Sequence, residues 1–510
     1  MDVDDELTRE IEAQVNEWST NSTECMNIEL VRGDGSIDSS FQPEFTYPIF
    51  GDEEAIFGYR DLSITVSFAA HNLRPHVEVK HGKVFPAQGE VRPTDIQAAL
   101  ADFLPKIAFA KKSRDEALRD ENASQFIPPG ERIHTYTREG ETYHIFCANL
   151  SDPNARELLQ NVEALVPMFI EGGTALELSH DWTAQRWNVF FVYREDPQEA
   201  PTPLQSQYAL VGYGTSYRFL SLPNRENPSQ SDIDLFSSKN ESIDSILPQS
   251  GSLSKTVKSP LDLPSRERLS QFLILPPFQK AGHGQELYHT MYKHLSGPAN
   301  IREFVVEDPN EAFDDLRDVC DLLYLRAHSP TFASLRIQTN IPEASLASNK
   351  PIPTDLIVPI EARKKIQAES KILPRQFDRL VEMHTLSFIP AMHRSRKRIT
   401  KREKSSNEHD RAYFFWRLYA KQRLYIFNRD QLIQIEHAER IEKLEAALDG
   451  VVEGYLMLLD KVTQREESGH TMGGLAQNAK LANRKRKVIE EDGDDDAEST
   501  RSSKKAHVDD

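Results

Sequence analysis

Residues 266–295, RERLSQFLILPPFQKAGHGQELYHTMYKHL, constrain the fold more than any other part of the chain. Phe272, Leu273, Ile274 and Leu275 form a short apolar run rich in strand formers, and Pro276-Pro277 cannot donate to a ladder, so a buried strand is expected to stop there. Leu287, Met291 and Leu295 recur every fourth residue, which predicts a helix with one apolar face laid on a sheet. Between strand and helix, Gly282 and Gly284 carry no Cβ. A ligand can therefore approach the main chain where the first helical N–H groups and the helix dipole favour phosphate oxygens. Taken alone, two glycines in Gly-His-Gly fit a plain strand-turn-helix connection as well as a site for a phosphate-bearing cofactor.

A second segment of the same kind follows. Residues 303–325, EFVVEDPNEAFDDLRDVCDLLYL, predict a strand ending at Glu307 and then a helix with Asp308 as N-cap, Pro309 in the first turn and Glu311 closing a capping box. Side chains at the carboxyl ends of strands face the ligand crevice of an α/β sheet, which makes Glu307 a candidate base beside the glycine turn. The plainer alternative is an acid that only adds negative charge near a helix N-terminus.

Together these segments resemble the Gcn5-related N-acetyltransferase (GNAT) superfamily, whose cofactor turn reads Gln/Arg-x-x-Gly-x-Gly/Ala. Gln279-Lys280-Ala281-Gly282-His283-Gly284 fits that pattern at every specified place. QFLILPPFQKAGHG, VVEDPNEAFDDLRD and FGDEEAIFGYRDL at residues 50–62 resemble, more narrowly, the type B histone acetyltransferase catalytic subunits. The resemblance runs with interruptions from about residue 41 to the helices near residue 460.

Composition sets the outer limits. A chain of 510 residues exceeds the usual single domain, and 38% hydrophobic content is low for a wholly compact protein, so several folded units with disordered stretches are expected. No stretch approaches the roughly 20 apolar residues needed to span a bilayer, and the first residues lack the cationic and apolar parts of a signal peptide. Cys25, Cys147 and Cys320 are too scattered for a disulfide framework or a CxxC metal site. A net charge of -19 disfavours general nucleic-acid binding but suits a strongly cationic partner.

The expected fold class is α+β: an acetyltransferase mixed-sheet core with an N-terminal α/β domain and a C-terminal helical domain. Residues 1–152 form the first, strand-rich domain, which the resemblance associates with histone binding. Residues 153–340 form the acetyltransferase domain, interrupted at 224–265 by a Ser-, Asp-, Asn- and Pro-rich insertion that reads as disordered. Residues 341–462 read as helical, with one long run over 410–462. Residues 463–510 read as a disordered tail whose Arg484-Lys485-Arg486-Lys487 cluster, followed by Lys504-Lys505, is similar to a nuclear import signal. The basic stretch 393–404 has no interleaved aromatic residues and reads as a solvated loop.

The resemblance also implies roles. The donor is acetyl-CoA, with no metal. Main-chain groups of Phe272, Leu273 and Ile274 meet its pantetheine, Gln279, Lys280, Ala281, Gly282, His283, Gly284 and Gln285 hold its pyrophosphate, and Asn310 touches it from the second helix. A lysine ammonium with a pKa of about 10.4 is no nucleophile until a proton leaves, so Glu307 is the expected general base, with Asp308 assisting and Glu171 a second candidate. Asp52, Glu53, Glu54, Trp187, Tyr217, Arg218 and Phe219 match positions that contact the substrate, the N-terminal tail of newly made histone H4. A WD-repeat histone-chaperone subunit is the implied partner, with location in cytoplasm and nucleus. Two other readings stay open on the residues alone: a non-catalytic histone escort, and an acetyltransferase for another amine.

Overall fold

The computed structural model describes residues 15–87, 89, 91–196, 202–221, 259–347, 349–396 and 405–467, all within one compact unit spanning residues 1–473. A smaller, four-stranded sheet is built from the first part of the chain. Its strands β1 (Met26–Val31), β2 (Ile37–Phe41), β3 (Ser63–Ala69) and β4 (Pro75–Lys80) lie in the order β2-β1-β3-β4, with β1 and β3 parallel. Met26, Ile28 and Leu30 alternate along β1 and are fully buried, the period-2 signature of a strand with one face on a core.

The larger sheet is mixed and six-stranded. It comprises β5 (Glu131–Arg138), β6 (Glu141–Asn149), β7 (Trp187–Glu195), β8 (Tyr208–Leu220), β9 (Ser265–Ile274) and β10 (Ile301–Val306) in the order β10-β9-β8-β7-β6-β5. β9 and β10 run parallel and the other neighbours antiparallel. Glu139 and Gly140, both at positive φ (52° and 88°), form the two-residue turn of the β5–β6 hairpin, a geometry whose twist matches the strands it joins. This hairpin lies before residue 152 yet pairs with β7, Thr142 opposite Glu195 and Asn149 opposite Asn188. The sheet therefore runs straight across the boundary expected at residues 152/153. Val189 to Tyr193 of β7 are all fully buried, as a central strand covered on both faces requires.

Helix α1 (Pro153–Val162) follows the hairpin, and α2 (His283–Ser296) and α3 (Glu311–His328) follow β9 and β10. Leu287, Met291 and Leu295 of α2 are buried against the sheet, as their spacing predicts. Gly214 permits the close approach, because a Cβ there would lie 2.7 Å from the Met291 sulfur. α3 starts later than expected. Asp308 sits at φ 32°, in the left-handed region, so it cannot be the extended N-cap; Asn310 takes that place and its side-chain oxygen accepts from the Phe313 N–H at 2.9 Å. With the cap moved two residues on, Glu311 falls in the first position of the helix and closes no capping box.

Helices α4 (Ile360–Ser370), α5 (Pro374–Ser387), α6 (Glu408–Phe427) and α7 (His437–Glu467) complete the described chain. The expected helical run over 410–462 is broken into α6 and α7, with a separate short helix, Arg429–Leu432, between them. Three of these helices meet at Glu382 of α5, which is fully buried. Arg423 of α6 grips it with two hydrogen bonds of 2.7 and 2.8 Å, and Tyr455 of α7 donates at 2.8 Å. On the other side α5 joins α3, where Gln376 donates to Asp318 at 2.9 Å.

Part of the expected insertion at 224–265 is ordered. Ser259 caps a short turn at Pro260–Asp262 and Ser265 begins β9, while residues 222–258 lie outside the described residues. Residues 463–467 belong to α7, and the import-signal cluster lies outside the described residues, as does most of the basic stretch 393–404. The three cysteines are unpaired.

Candidate active site

Glu307 stands where β9 and β10 part. Its N–H donates to the Leu269 carbonyl at 2.9 Å, continuing the parallel ladder one step past Val306. Just beyond, β9 sets two residues against one of β8, Ser270 and Gln271 against Thr215, between the Gly214/Phe272 and Ser216/Leu269 pairs. That is a bulge at Ser270-Gln271, and the Gln271 N–H goes to the Thr215 hydroxyl at 3.0 Å instead of to a main-chain oxygen. Gln271 and Leu275 both aim their N–H groups toward β8, Leu275 at the Val211 carbonyl. Alternation then turns the N–H groups of Phe272 and Ile274 to the side that β10 has left, which opens a slot edged by unused main-chain groups. Gln279 reaches back into the strand end, its amide donating to the Ile274 carbonyl at 2.9 Å.

The Glu307 carboxylate is held at both oxygens. The Ser270 hydroxyl donates at 2.5 Å to one, and Arg268 approaches the other at 2.6 Å. Neither partner was marked in the sequence. Their spacing, two and four residues before Phe272, carries no motif without knowledge of the strand register. Asp308 is exposed on the turn beyond Glu307. Glu171 is exposed as well, after the short helix Val166–Phe169, and no hydrogen bond or ion pair among the described residues joins it to Glu307. A different acid is half-buried nearby in sequence: desolvation pushes the Glu163 carboxyl up to about 7, and it accepts the Leu176 N–H at 2.6 Å. Gln271 anchors the same loop by donating to the Thr174 carbonyl at 2.8 Å.

The glycine turn adopts the form its residues predict. Lys280 and Gly282 have φ of 62° and 91°, and Gly282 is the N-cap of α2. The N–H groups of His283 and Gly284 precede the first intrahelical bond, from Gln285 to the Gly282 carbonyl at 3.1 Å, and so face out of the helix end. At Gly284 a Cβ would come within 3.0 Å of the Leu316 side chain and 3.7 Å of both Phe272 and Ile274, so the turn is packed closely and leaves little room for a side chain. The His283 ring turns inward: it is 2% exposed, takes a 2.8 Å hydrogen bond with the Tyr136 hydroxyl, and its pKa is pushed down to about 4, by burial first and by Arg138 second. Only its main chain is available at the turn. Gln285 faces the Arg465 guanidinium at 2.9 Å, and the Asn310 side-chain oxygen is committed to capping α3.

One cation at this turn escaped sequence reasoning. The Arg138 guanidinium lies 3.4 Å from where a Gly282 Cβ would be, held by Glu286 at 2.8 Å. Glu286 is itself held by His134 at 3.2 Å; although burial opposes it, these partners keep its carboxyl below the usual range. Arg138 ends β5, far from Gly282 in sequence, so only the sheet order brings them together.

On the substrate side, Trp187 and Tyr217 are cross-strand partners with ring centres 4.8 Å apart, and Phe219 follows at 5.7 Å from Tyr217. The Phe219 ring in turn lies 5.3 Å from the Arg268 guanidinium. These aromatics and Glu307 therefore form one continuous patch. Arg218 does not join it, since its guanidinium is spent on Glu267, fully buried, at 2.5 Å. Asp52 and Glu53 are exposed. Glu54 differs: it accepts the Thr46 N–H and the Thr23 hydroxyl, bonds that lower its pKa and make it a brace within its own turn.

Residues 18–171 match a family model described as the histone acetyl transferase HAT1 N-terminus. The chain is 38% identical over 472 residues to the histone acetyltransferase type B catalytic subunit of Aspergillus oryzae, covering 89% of this chain and 88% of the relative. It is 39% identical over 470 residues to that of Emericella nidulans, covering 88% and 90%. Against that of Gibberella zeae it is 36% identical over 508 residues, covering 97% and 99%.

Proposed function

This chain belongs to the histone acetyltransferase type B catalytic subunits, acyltransferases that use acetyl-CoA, and on that premise we propose that it acetylates lysine side chains in the N-terminal tail of newly synthesised histone H4, by direct attack with Glu307 as general base. The observation that carries the mechanism is the position of the Glu307 carboxylate, fixed by Ser270 at the mouth of the slot between β9 and β10. Glu307 takes a proton from the lysine ammonium, directly or through water. The amine nitrogen then bonds to the acetyl carbon while the C–S bond breaks, and coenzyme A leaves as its thiolate, which takes up a proton. No enzyme nucleophile is needed, and Cys320 is buried within α3 where it cannot serve as one.

The residues present fit acetyl-CoA. A close-packed glycine turn at Gly282 and Gly284, outward N–H groups at His283 and Gly284 and the Arg138 cation suit a diphosphate, and the N–H groups of Phe272 and Ile274 suit the amides of pantetheine. Replacing Arg138 by Gln should raise KM for acetyl-CoA about tenfold with kcat little changed, the mark of binding lost equally from ground and transition states. An unchanged KM in steady-state kinetics would remove Arg138 from the donor site.

Asp52 and Glu53, with the Trp187, Tyr217 and Phe219 patch, support a cationic tail lying across the sheet edge. Because exposed charges are screened by salt, KM for a tail peptide should rise several-fold between about 50 and 300 mM salt. A KM that stays flat over that range would exclude electrostatic capture. The decisive comparison sets intact histones, H4 tail peptide and small amines side by side as acceptors. A clear preference for the tail supports the proposed substrate, whereas equal turnover of a polyamine favours another amine. We further infer a WD-repeat histone-chaperone partner, engaged through the N-terminal region, and residence in both cytoplasm and nucleus; pull-down and imaging test these directly.

A further inference from the structure

Arg268 lies where a substrate cation would have to lie. Its guanidinium is 2.6 Å from Glu307 and 5.3 Å from the centre of the Phe219 ring. Neighbouring arginines have acids of their own, Arg266 with Glu303 and Arg218 with Glu267. Arg268 pairs only with Glu307 among the described residues, its Nε makes no hydrogen bond, and its side chain is 32% exposed. The carboxylate keeps a second anchor when Arg268 leaves, because the Ser270 hydroxyl holds the other oxygen at 2.5 Å. A lysine side chain carries the same chemistry at its tip: a cation on a flexible aliphatic stem, drawn to a carboxylate and to an aromatic face.

We propose that Arg268 is a resident stand-in for the substrate ammonium: it fills the cation subsite formed by Glu307 and Phe219, and the incoming lysine binds by displacing it. The inference rests on Glu307 being the base. Displacement is feasible because a half-exposed ion pair contributes little net stability and the long side chain can swing into water. It also confers selectivity. A lysine anchored by the rest of a bound tail can pay the cost of evicting the guanidinium, whereas a free small amine has no other contacts to draw on.

Steady-state kinetics on Arg268→Met, Arg268→Lys and Glu307→Gln test this. Arg268→Met should lower KM for the tail peptide about fivefold, and Arg268→Lys should keep the wild-type KM. Ethylguanidine should then compete with the peptide in Arg268→Met and do so far more weakly in wild type. The opposite result, a fall in kcat that ethylguanidine restores, would make Arg268 a strut that orients Glu307 and overturn the proposal. Arg268→Gln gives the same reading if the Met variant does not accumulate. Full activity in Glu307→Gln would refute the base itself; an inactive Glu307→Gln beside an unchanged KM in Arg268→Met would refute only the stand-in.

Discussion

Glu307→Gln is expected to lower kcat for tail-peptide acetylation by about 10²–10⁴-fold while KM for acetyl-CoA stays near the wild-type value. Glutamine keeps the size of the side chain and an oxygen for the Ser270 hydroxyl, so the bulge, the slot and the glycine turn are left in place. What disappears is the ability to accept a proton. The deficit should narrow as pH is raised toward the amine's own pKa of about 10.4, since more lysine then arrives already deprotonated. A variant that keeps more than about a tenth of the rate at neutral pH would place the base elsewhere, with Asp308 or Glu171 the next to replace.

The largest effect on stability is expected among the C-terminal helices. Glu382 is fully buried and receives two hydrogen bonds from Arg423 and one from Tyr455. Glu382→Ala leaves the guanidinium without its counter-charge between three helices, a change that typically costs about 3–5 kcal/mol. Chemical denaturation should show a lower midpoint, with the transition of α5, α6 and α7 leading if they open separately. Replacing Glu382 by Leu and Arg423 by Met together should recover most of the loss, because the pair is removed as a unit. If the single variant unfolds at the wild-type midpoint, the cluster contributes no net stability.

Much of the central fold could be read in advance, and for a definite reason. β8 and the strand-turn-helix around Gly282 carry strong local signals: a long β-branched and aromatic run in one, and Pro-Pro, glycine and every-fourth-residue apolar positions in the other. Local chemistry also misled where two residues could do the same work. Asp308 and Asn310 both cap helices well, and only the left-handed turn at Asp308 decides between them. Of the site, the glycine turn and Glu307 were visible because each sits at a strand end. Arg138, Ser270 and Arg268 were not, because their importance comes from register and from pairing across long sequence distances. Glu54 and Arg218 show the converse: their charge is legible in sequence, but their engagement with Thr46 and Glu267 is not.

The β5–β6 hairpin has a consequence for how such a chain can be cut or recombined. The ladder from Thr142/Glu195 to Asn149/Asn188 is an unbroken seam between the first third of the chain and its middle. A fragment stopping at residue 171 would strand one lip of that seam in water, an invitation to self-association, and the complementary fragment would bare the other lip. Hybrids spliced there from two relatives would have to mesh side chains never selected together. Heredity is thus expected to have passed the leading 150 residues and the sheet behind them down as a single inseparable inheritance.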